Sequence, residues 1–100
     1  MQRAELEATY LRLVRETLPD AAPRRRWPIR FDHCFMRVVL DHVVGGCWYD
    51  HLSRKTPAYR QLTDDQLRTA ITLAERILDG DDAVLVEMNR QSLRWRGKLR

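Results

Sequence analysis

All three histidines and both cysteines of this 100-residue chain lie between His33 and His51, and these side chains bind metals or act as nucleophiles. At the start of this stretch, Asp32-His33-Cys34 places a thiol beside an imidazole and a carboxylate, the residue types of a nucleophilic site. Neighbouring residues on a helix diverge by about 100°, so adjacency works against mutual hydrogen bonding. Asp32 is instead expected in the first turn of its helix, where the dipole favours a carboxylate. We expect no catalytic site and keep these three residues as candidates for an alternative, enzymatic hypothesis.

Helical geometry also argues against a metal centre. His33 and His42 point to roughly opposite sides of a straight helix, and Cys34 lies ~12 Å from His42 along its axis. Metal–ligand bonds are only about 2.0–2.3 Å long. Cys47 and His51, four residues apart, converge only if their segment is helical, and two ligands do not complete a structural zinc site. We therefore predict no metal and no cofactor, with Cys47 and His51 as the sole candidate pair.

The basic side chains form two groups that could bind a partner. Lysine and arginine number 18 against 14 acidic residues, for a formal net charge of +4. Arginine forks match phosphate and carboxylate groups, and tryptophan rings stack on bases or fill apolar pockets. The predicted binding residues are Arg24, Arg25, Arg26 and Trp27 in one group and Arg90, Arg94, Trp95, Arg96 and Lys98 in the other. The competing interpretation is a solvated surface that pairs with the acidic third helix. No helix-turn-helix or other named nucleic-acid motif is present in the sequence.

The hydrophobic spacing predicts an all-α fold, with residues 1–100 as one domain of about four helices. Thr63 and Gln66 form a capping-box pattern for the third helix, and Gly80 is expected to end it. Arg37 and Asp41 are spaced as an i, i+4 ion pair. The second helix is too long for a typical strand, despite its valines, and Phe31, Phe35, Val38 and Val39 are expected on its buried face. The predicted segments are a helix over 2–18, a Pro/Arg-rich linker over 19–29 that starts at Pro19, and helices over 30–44, 63–80 and 81–97.

Composition narrows the class of protein. Hydrophobic residues make up 44% and charged residues 32%, which is typical of a globular chain. No apolar run approaches the ~20 residues of a membrane span, and no basic-then-apolar leader is present. Two cysteines in such a chain indicate reduced thiols. We therefore expect a cytoplasmic protein that does not associate with membranes.

Phe31-Asp32-His33-Cys34-Phe35 and the later Asn89-to-Lys98 segment resemble a group of short bacterial proteins that carry a GNAT-type N-acetyltransferase label. The resemblance covers roughly residues 28–98 and implies an acetyltransferase-related protein. A GNAT enzyme holds the acyl-CoA pyrophosphate on a glycine-rich turn between a strand and a helix. The glycines here, at Gly45, Gly46, Gly80 and Gly97, form no Gly-x-Gly or Gly-x-Ala turn, so no acetyltransferase residue is carried over.

Two functional hypotheses follow from these observations. The first is a non-catalytic accessory or interaction protein that binds a protein partner, a second copy of itself, RNA or DNA through its Arg/Trp-rich surfaces. The second is a small enzyme, or a protein associated with an acetyltransferase, that uses the Asp32-His33-Cys34 region.

Overall fold

Helices form all the regular secondary structure of residues 1–98, the part of the chain described by this computed structural model. The predicted all-α fold is confirmed. The radius of gyration of 12.8 Å is what a packed domain of this length has, about 13 Å. The main helices are α1 (Arg3–Arg12), α2 (Leu18–Ala21), α3 (Asp32–Val44), α4 (Ala58–Gln61), α5 (Asp64–Asp79) and α6 (Asp82–Trp95). A π-helical turn (Leu13–Thr17) and two 3₁₀ turns (Ala22–Arg24 and Trp48–Asp50) complete the list.

The prediction that Pro19 ends the first helix is wrong, because helical structure continues to Arg24. Pro19 directly follows the π-helical turn inside this continuous helical segment, and it lacks the N–H that an interior helical residue would donate. The π-helical turn just before it has a wider spacing, with the Leu18 N–H donating to the Leu13 carbonyl five residues earlier. The extended part of the predicted 19–29 linker therefore starts only at Arg25, whose φ and ψ are −120° and 152°.

Helix α3 lies at the centre of the core and packs against α5, α6 and the π-helical turn. Its side chains Phe35, Val38 and Val39 are buried, as the periodicity predicts. Trp27, which is 5% exposed, closes one end of this core with its ring edge-on to Phe35 at a centroid distance of 5.5 Å. The extended segment after α2 is therefore packed onto α3.

The predicted capping box of α5 is present. Thr63 Oγ1 accepts a hydrogen bond from the Gln66 N–H at 3.1 Å, and Gln66 Oε1 accepts from the Thr63 N–H at 2.9 Å. Gly80 follows α5 as predicted, although its φ of −80° is not left-handed. A Cβ at Gly80 would lie 2.8 Å from the Arg76 carbonyl oxygen, so glycine is required by the tight turn into α6.

Candidate functional site

The three candidate catalytic residues do not meet around a common cavity. Asp32 lies in the first turn of α3, as predicted, and its Oδ1 accepts a hydrogen bond from the His33 N–H at 2.7 Å. The imidazole of His33 is largely exposed, with its Nδ1 3.5 Å from the same Asp32 oxygen. The thiol of Cys34 is half-buried on α3. Of the three residues only His33 lines the main cleft of the molecule.

Cys47 and His51 flank the 3₁₀ turn Trp48–Asp50. Cys47 is half-buried and precedes the turn, whereas His51 is exposed and follows it. Within residues 1–98 no group of three or more His, Cys, Asp or Glu side chains is placed to hold a metal ion.

In the first basic group, Arg25 and Trp27 make contacts within the fold, whereas Arg24 and Arg26 lie at the surface. Arg25 Nε lies 2.5 Å from Asp82 Oδ1, while its Nη1 and Nη2 donate to the carbonyls of Leu78 and Gly80 at 3.0 and 2.6 Å. Its guanidinium also lies 4.4 Å from the centroid of the Trp27 ring. Arg25 therefore fastens the extended segment to the α5–α6 turn, and the buried Trp27 packs against Arg25 and Phe35. Both side chains thus have partners within the fold. Arg24 and Arg26 are exposed.

The second basic group is divided in the same way. Arg96 forms an ion pair with the buried Asp41, and the Trp95 ring packs edge-on against His42 at 5.0 Å. These two residues hold the end of α6 to α3. The remaining residues, Arg90, Arg94 and Lys98, are exposed, and Arg90 lies beside a shallow depression of about 180 Å³.

A buried polar network takes the place of the predicted Arg37–Asp41 pair. Asp41, which is 0% exposed, accepts hydrogen bonds from Ser92 Oγ at 2.6 Å and from Arg96 Nε and Nη2 at 2.7 and 3.0 Å. Arg37 instead donates to Ser92 Oγ at 2.8 Å and to Asn89 Oδ1 at 2.7 Å. The Arg37 side chain thus reaches Asp41 through Ser92, because the carboxylate is already occupied by Arg96.

This network shifts the pKa of both arginines, in opposite directions. Burial lowers the pKa of Arg37, whereas hydrogen bonding to Asp41 raises the pKa of Arg96.

The network also positions the loop after α3, since Asp41 Oδ1 accepts from the Trp48 N–H at 3.0 Å. Trp48 and Tyr49 on that loop form one wall of the main cleft.

The main cleft has a volume of about 520 Å³ and lies between α3, the loop over residues 48–57 and the first helical segment. Its lining includes four cationic side chains and contains no Asp, Glu, Asn or Gln. Four aromatic side chains share the walls with His33 and a few apolar residues. The cations are Arg15, Arg37, Arg54 and Lys55, and the aromatic residues are Tyr10, Trp48, Tyr49 and Tyr59.

Arginine contacts hold two of the aromatic walls in place. The guanidinium groups of Arg54 and Arg96 lie 4.3 and 4.8 Å from the centroid of the Tyr49 ring. On the opposite wall, Arg3 donates to the carbonyls of Leu62 and Tyr59 at 2.6 and 3.2 Å. These two bonds tie α1 to the segment that carries Tyr59, whose ring lies 6.4 Å from that of Tyr10.

Within the described part of the chain, Arg15, Arg54 and Lys55 form no ion pair. The cleft therefore concentrates positive charge beside aromatic surface, an arrangement that attracts anions carrying a planar group. Apart from His33, the cleft is lined by residues that the sequence-based assignment of site residues missed. The signal in the sequence was the pair Arg54-Lys55, which follows the aromatic pair Trp48-Tyr49 after four residues, but nothing in the sequence placed Tyr10 alongside.

Phe31 adds a flat aromatic surface next to His33. The two rings are stacked with an angle of 3° and a centroid separation of 5.9 Å, and Phe31 is 65% exposed. The predicted burial of Phe31 is wrong because α3 begins at Asp32. Phe31 is the N-cap residue, and its extended backbone, with φ −104° and ψ 153°, takes its side chain out of the helical stripe.

Comparison with protein-family models, with curated proteins and with solved structures finds no match to this chain. No helix among residues 1–98 has both the length and the apolar character needed to cross a membrane.

Proposed function

We propose that this protein is a non-catalytic binding protein that takes a segment of single-stranded RNA or DNA into the cleft. The observation that carries the proposal is the combination of four cations and four aromatic side chains in one cavity without a carboxylate. Proteins that bind single strands pair a positively charged groove, which follows the phosphates, with aromatic rings on which bases stack. The cleft provides both kinds of surface.

The shape of the cleft favours a single strand over a duplex. Its volume of about 520 Å³ falls within the range of small-ligand sites, about 300–1,000 Å³. A cavity of that size suits a nucleotide unit whose base is unstacked, whereas the bases of a duplex are stacked on one another and accessible only at their edges. The exposed Phe31–His33 stack lies next to the cleft and offers a surface for a neighbouring base.

An acidic protein partner or a second copy of the chain would also be attracted by the cations. Aromatic side chains also take part in protein interfaces. We favour nucleic acid because cations beside stacking rings, in a lining without a carboxylate, are the combination used by sites that bind single strands. The enzymatic alternative has less support, because Asp32, His33 and Cys34 do not surround one cavity. The acetyltransferase-related function implied by the resemblance is tested by titrating acetyl-CoA in a calorimeter. We place the binding function in the cytoplasm, without a cofactor.

The proposal predicts that the loop cations dominate the salt dependence of binding. We expect Arg54→Gln combined with Lys55→Gln to weaken binding of a labelled oligonucleotide of about ten nucleotides in fluorescence anisotropy. Each lost phosphate contact lowers the slope of log K against log salt by about 0.7 for a single strand. The double variant is therefore expected to reduce the slope by about 1.4.

The matched control removes two positive charges from a surface outside the cleft. Arg68 and Arg76 are exposed on α5 and do not line the cleft, so Arg68→Gln with Arg76→Gln should keep the parental salt slope. Equal losses in the two double variants would mean that only net charge matters, which contradicts the cleft proposal. Absence of oligonucleotide binding to the parental protein at ~50 mM salt would reject nucleic acid as the ligand.

A further inference from the structure

Phe31 presents an aromatic ring to solvent at a position where helices favour a small polar residue. It is the N-cap residue of α3 and its side chain makes no capping hydrogen bond, whereas serine, threonine, aspartate and asparagine are preferred there. The residue is 65% exposed. Its side chain therefore contributes no helix cap and little buried apolar surface to the fold.

The exposed large hydrophobic side chains gather at the cleft. Among residues 1–98 they are Met1, Phe31 and Tyr49. Apart from the first residue of the chain, they lie in or beside the cleft, because Tyr49 lines it and Phe31 stacks on His33, which also lines it. A single exposed apolar residue needs no explanation, but two exposed aromatic rings at one cavity mark a binding surface.

The stack extends the aromatic surface of the cleft outward by one further ring. The planes of the Phe31 and His33 rings differ by 3°, and their centroids are 5.9 Å apart. The His33 side chain is itself 77% exposed, so both rings are accessible to a ligand. Every base has a π-face and stacks on an aromatic ring whatever its identity. A base next to the one held in the cleft therefore finds a stacking partner in Phe31.

The residues that flank Phe31 add no net charge to this ring surface. Arg30 precedes it and Asp32 follows it, and both are exposed. Phe31 therefore offers contact to a base and no attraction to a phosphate. Arg54 and Lys55 have the opposite role, because their charges act on the backbone of the strand.

We infer that Phe31 forms a second base subsite beside the cleft, so that the ligand is a strand of at least two nucleotides and not a free nucleotide. The inference rests on the proposed binding of single strands and adds the minimum length of the ligand. One base occupies the cleft, and the adjoining base stacks on the exposed ring of Phe31.

The test uses two labelled oligomers of about ten nucleotides that are abasic at all but one or two positions. The first carries a single thymine at its centre, and the second carries two adjacent thymines there. Both have the same number of phosphates, so any difference in affinity comes from the second base. The parental protein is expected to bind the two-base oligomer about tenfold more tightly in fluorescence anisotropy, the order of effect of one stacked base. Equal affinities would overturn the inference.

Three substitutions at Phe31 identify stacking as the cause. Phe31→Ser and Phe31→Leu should both reduce the tenfold preference to about twofold or less, whereas Phe31→Trp should keep it. Leucine is the matched control, because it keeps an apolar side chain and removes only the flat ring. A preference that survives in Phe31→Ser, or that Phe31→Leu retains in full, would overturn the assignment of Phe31 as a stacking residue.

Two further measurements separate binding from a structural role. The urea midpoint of Phe31→Ser should be at least that of the parental protein, because serine is a favoured N-cap residue. The slope of log K against log salt should stay at the parental value, because no phosphate contact is lost. A large fall in the urea midpoint would show that Phe31 is required for the fold, which contradicts its assignment as a free binding surface.

Failure of the second subsite and failure of the proposed function give different results. If Phe31→Ser binds both oligomers as the parental protein does, while Arg54→Gln with Lys55→Gln weakens both, nucleic-acid binding stands and the subsite is wrong. If neither oligomer binds the parental protein at ~50 mM salt, the proposed function fails, and the inference fails with it.

Discussion

Replacing Asp41 with asparagine is expected to lower the free energy of unfolding by about 3–5 kcal/mol, the usual cost of breaking a buried ion pair by removing one partner. The substitution keeps the shape of the side chain but points an amide donor, or an uncharged oxygen, at the guanidinium of Arg96. That guanidinium is largely buried, with 13% of the side chain exposed, so its charge would lose most of its compensation. For a domain of this size the melting temperature should fall by more than about 12 °C.

The effect should extend to the cleft, because Asp41 also holds the Trp48 N–H. Freed from that bond and from the Arg96 contact, Trp48 and Tyr49 would lose their fixed position. We therefore expect Asp41→Asn to weaken oligonucleotide binding even at temperatures where the variant is folded. Chemical denaturation and anisotropy measure the two effects separately.

Asp50→Asn is the matched control for this prediction. Asp50 is exposed in the neighbouring 3₁₀ turn and has no side-chain hydrogen bond among the described residues. A surface change of this kind usually alters stability by less than about 0.5 kcal/mol. Similar stability in Asp41→Asn and Asp50→Asn would show that the buried network contributes little.

Arg25→Gln is expected to lower the free energy of unfolding by about 2 kcal/mol, through the loss of its bonds to the Leu78 and Gly80 carbonyls and of its packing on Trp27. Arg24→Gln, one residue earlier and exposed, should change it by less than about 0.5 kcal/mol. Urea denaturation measures both. Equal effects of the two substitutions would mean that the contacts of Arg25 are not what fastens this segment.

The Arg25 contact should also make stability depend on pH. Hydrogen bonds from Arg25 and the Arg26 N–H hold the pKa of Asp82 below its usual range. A carboxyl whose pKa is lower in the folded state stabilises the fold above its unfolded pKa of about 3.9 and loses this contribution as pH falls through the folded value. The difference in stability between the parental protein and Arg25→Gln should therefore shrink as pH is lowered below about 4.

The helices were predictable from the sequence because their signals are local. Periodic apolar residues mark the buried face of α3, and the capping box at Thr63 marks the start of α5. Pro19 was misread because a local rule about proline does not include a π-helical turn just before it. Phe31 was misread because a shift of the helix start by two residues moves a side chain off the buried stripe.

The roles of the arginines were not predictable in the same way. Arg24, Arg25 and Arg26 are identical in type and adjacent in sequence, yet only Arg25 reaches Leu78, Gly80 and Asp82 with its side chain. These partners are more than 50 residues away, so the choice depends on tertiary packing. The same holds for the cleft, which combines Tyr10, Trp48 and Tyr59 from three separate segments. The combination forms only when tertiary packing brings α1 beside the segment that carries Tyr59, through the Arg3 bonds to the Leu62 and Tyr59 carbonyls.

The most direct test of the central claim is the amide and indole NMR spectrum of ¹⁵N-labelled protein during titration with a single-stranded oligonucleotide. If the cleft is the binding site, the largest shift changes should fall on the Trp48 indole and on the backbone of Tyr49 and residues 54–59. The Trp27 indole and the exposed Arg90 and Arg94 should stay largely unchanged. The account would be contradicted if the Trp48 indole signal did not shift and the chemical-shift changes were confined to Arg24, Arg26, Arg90 and Arg94.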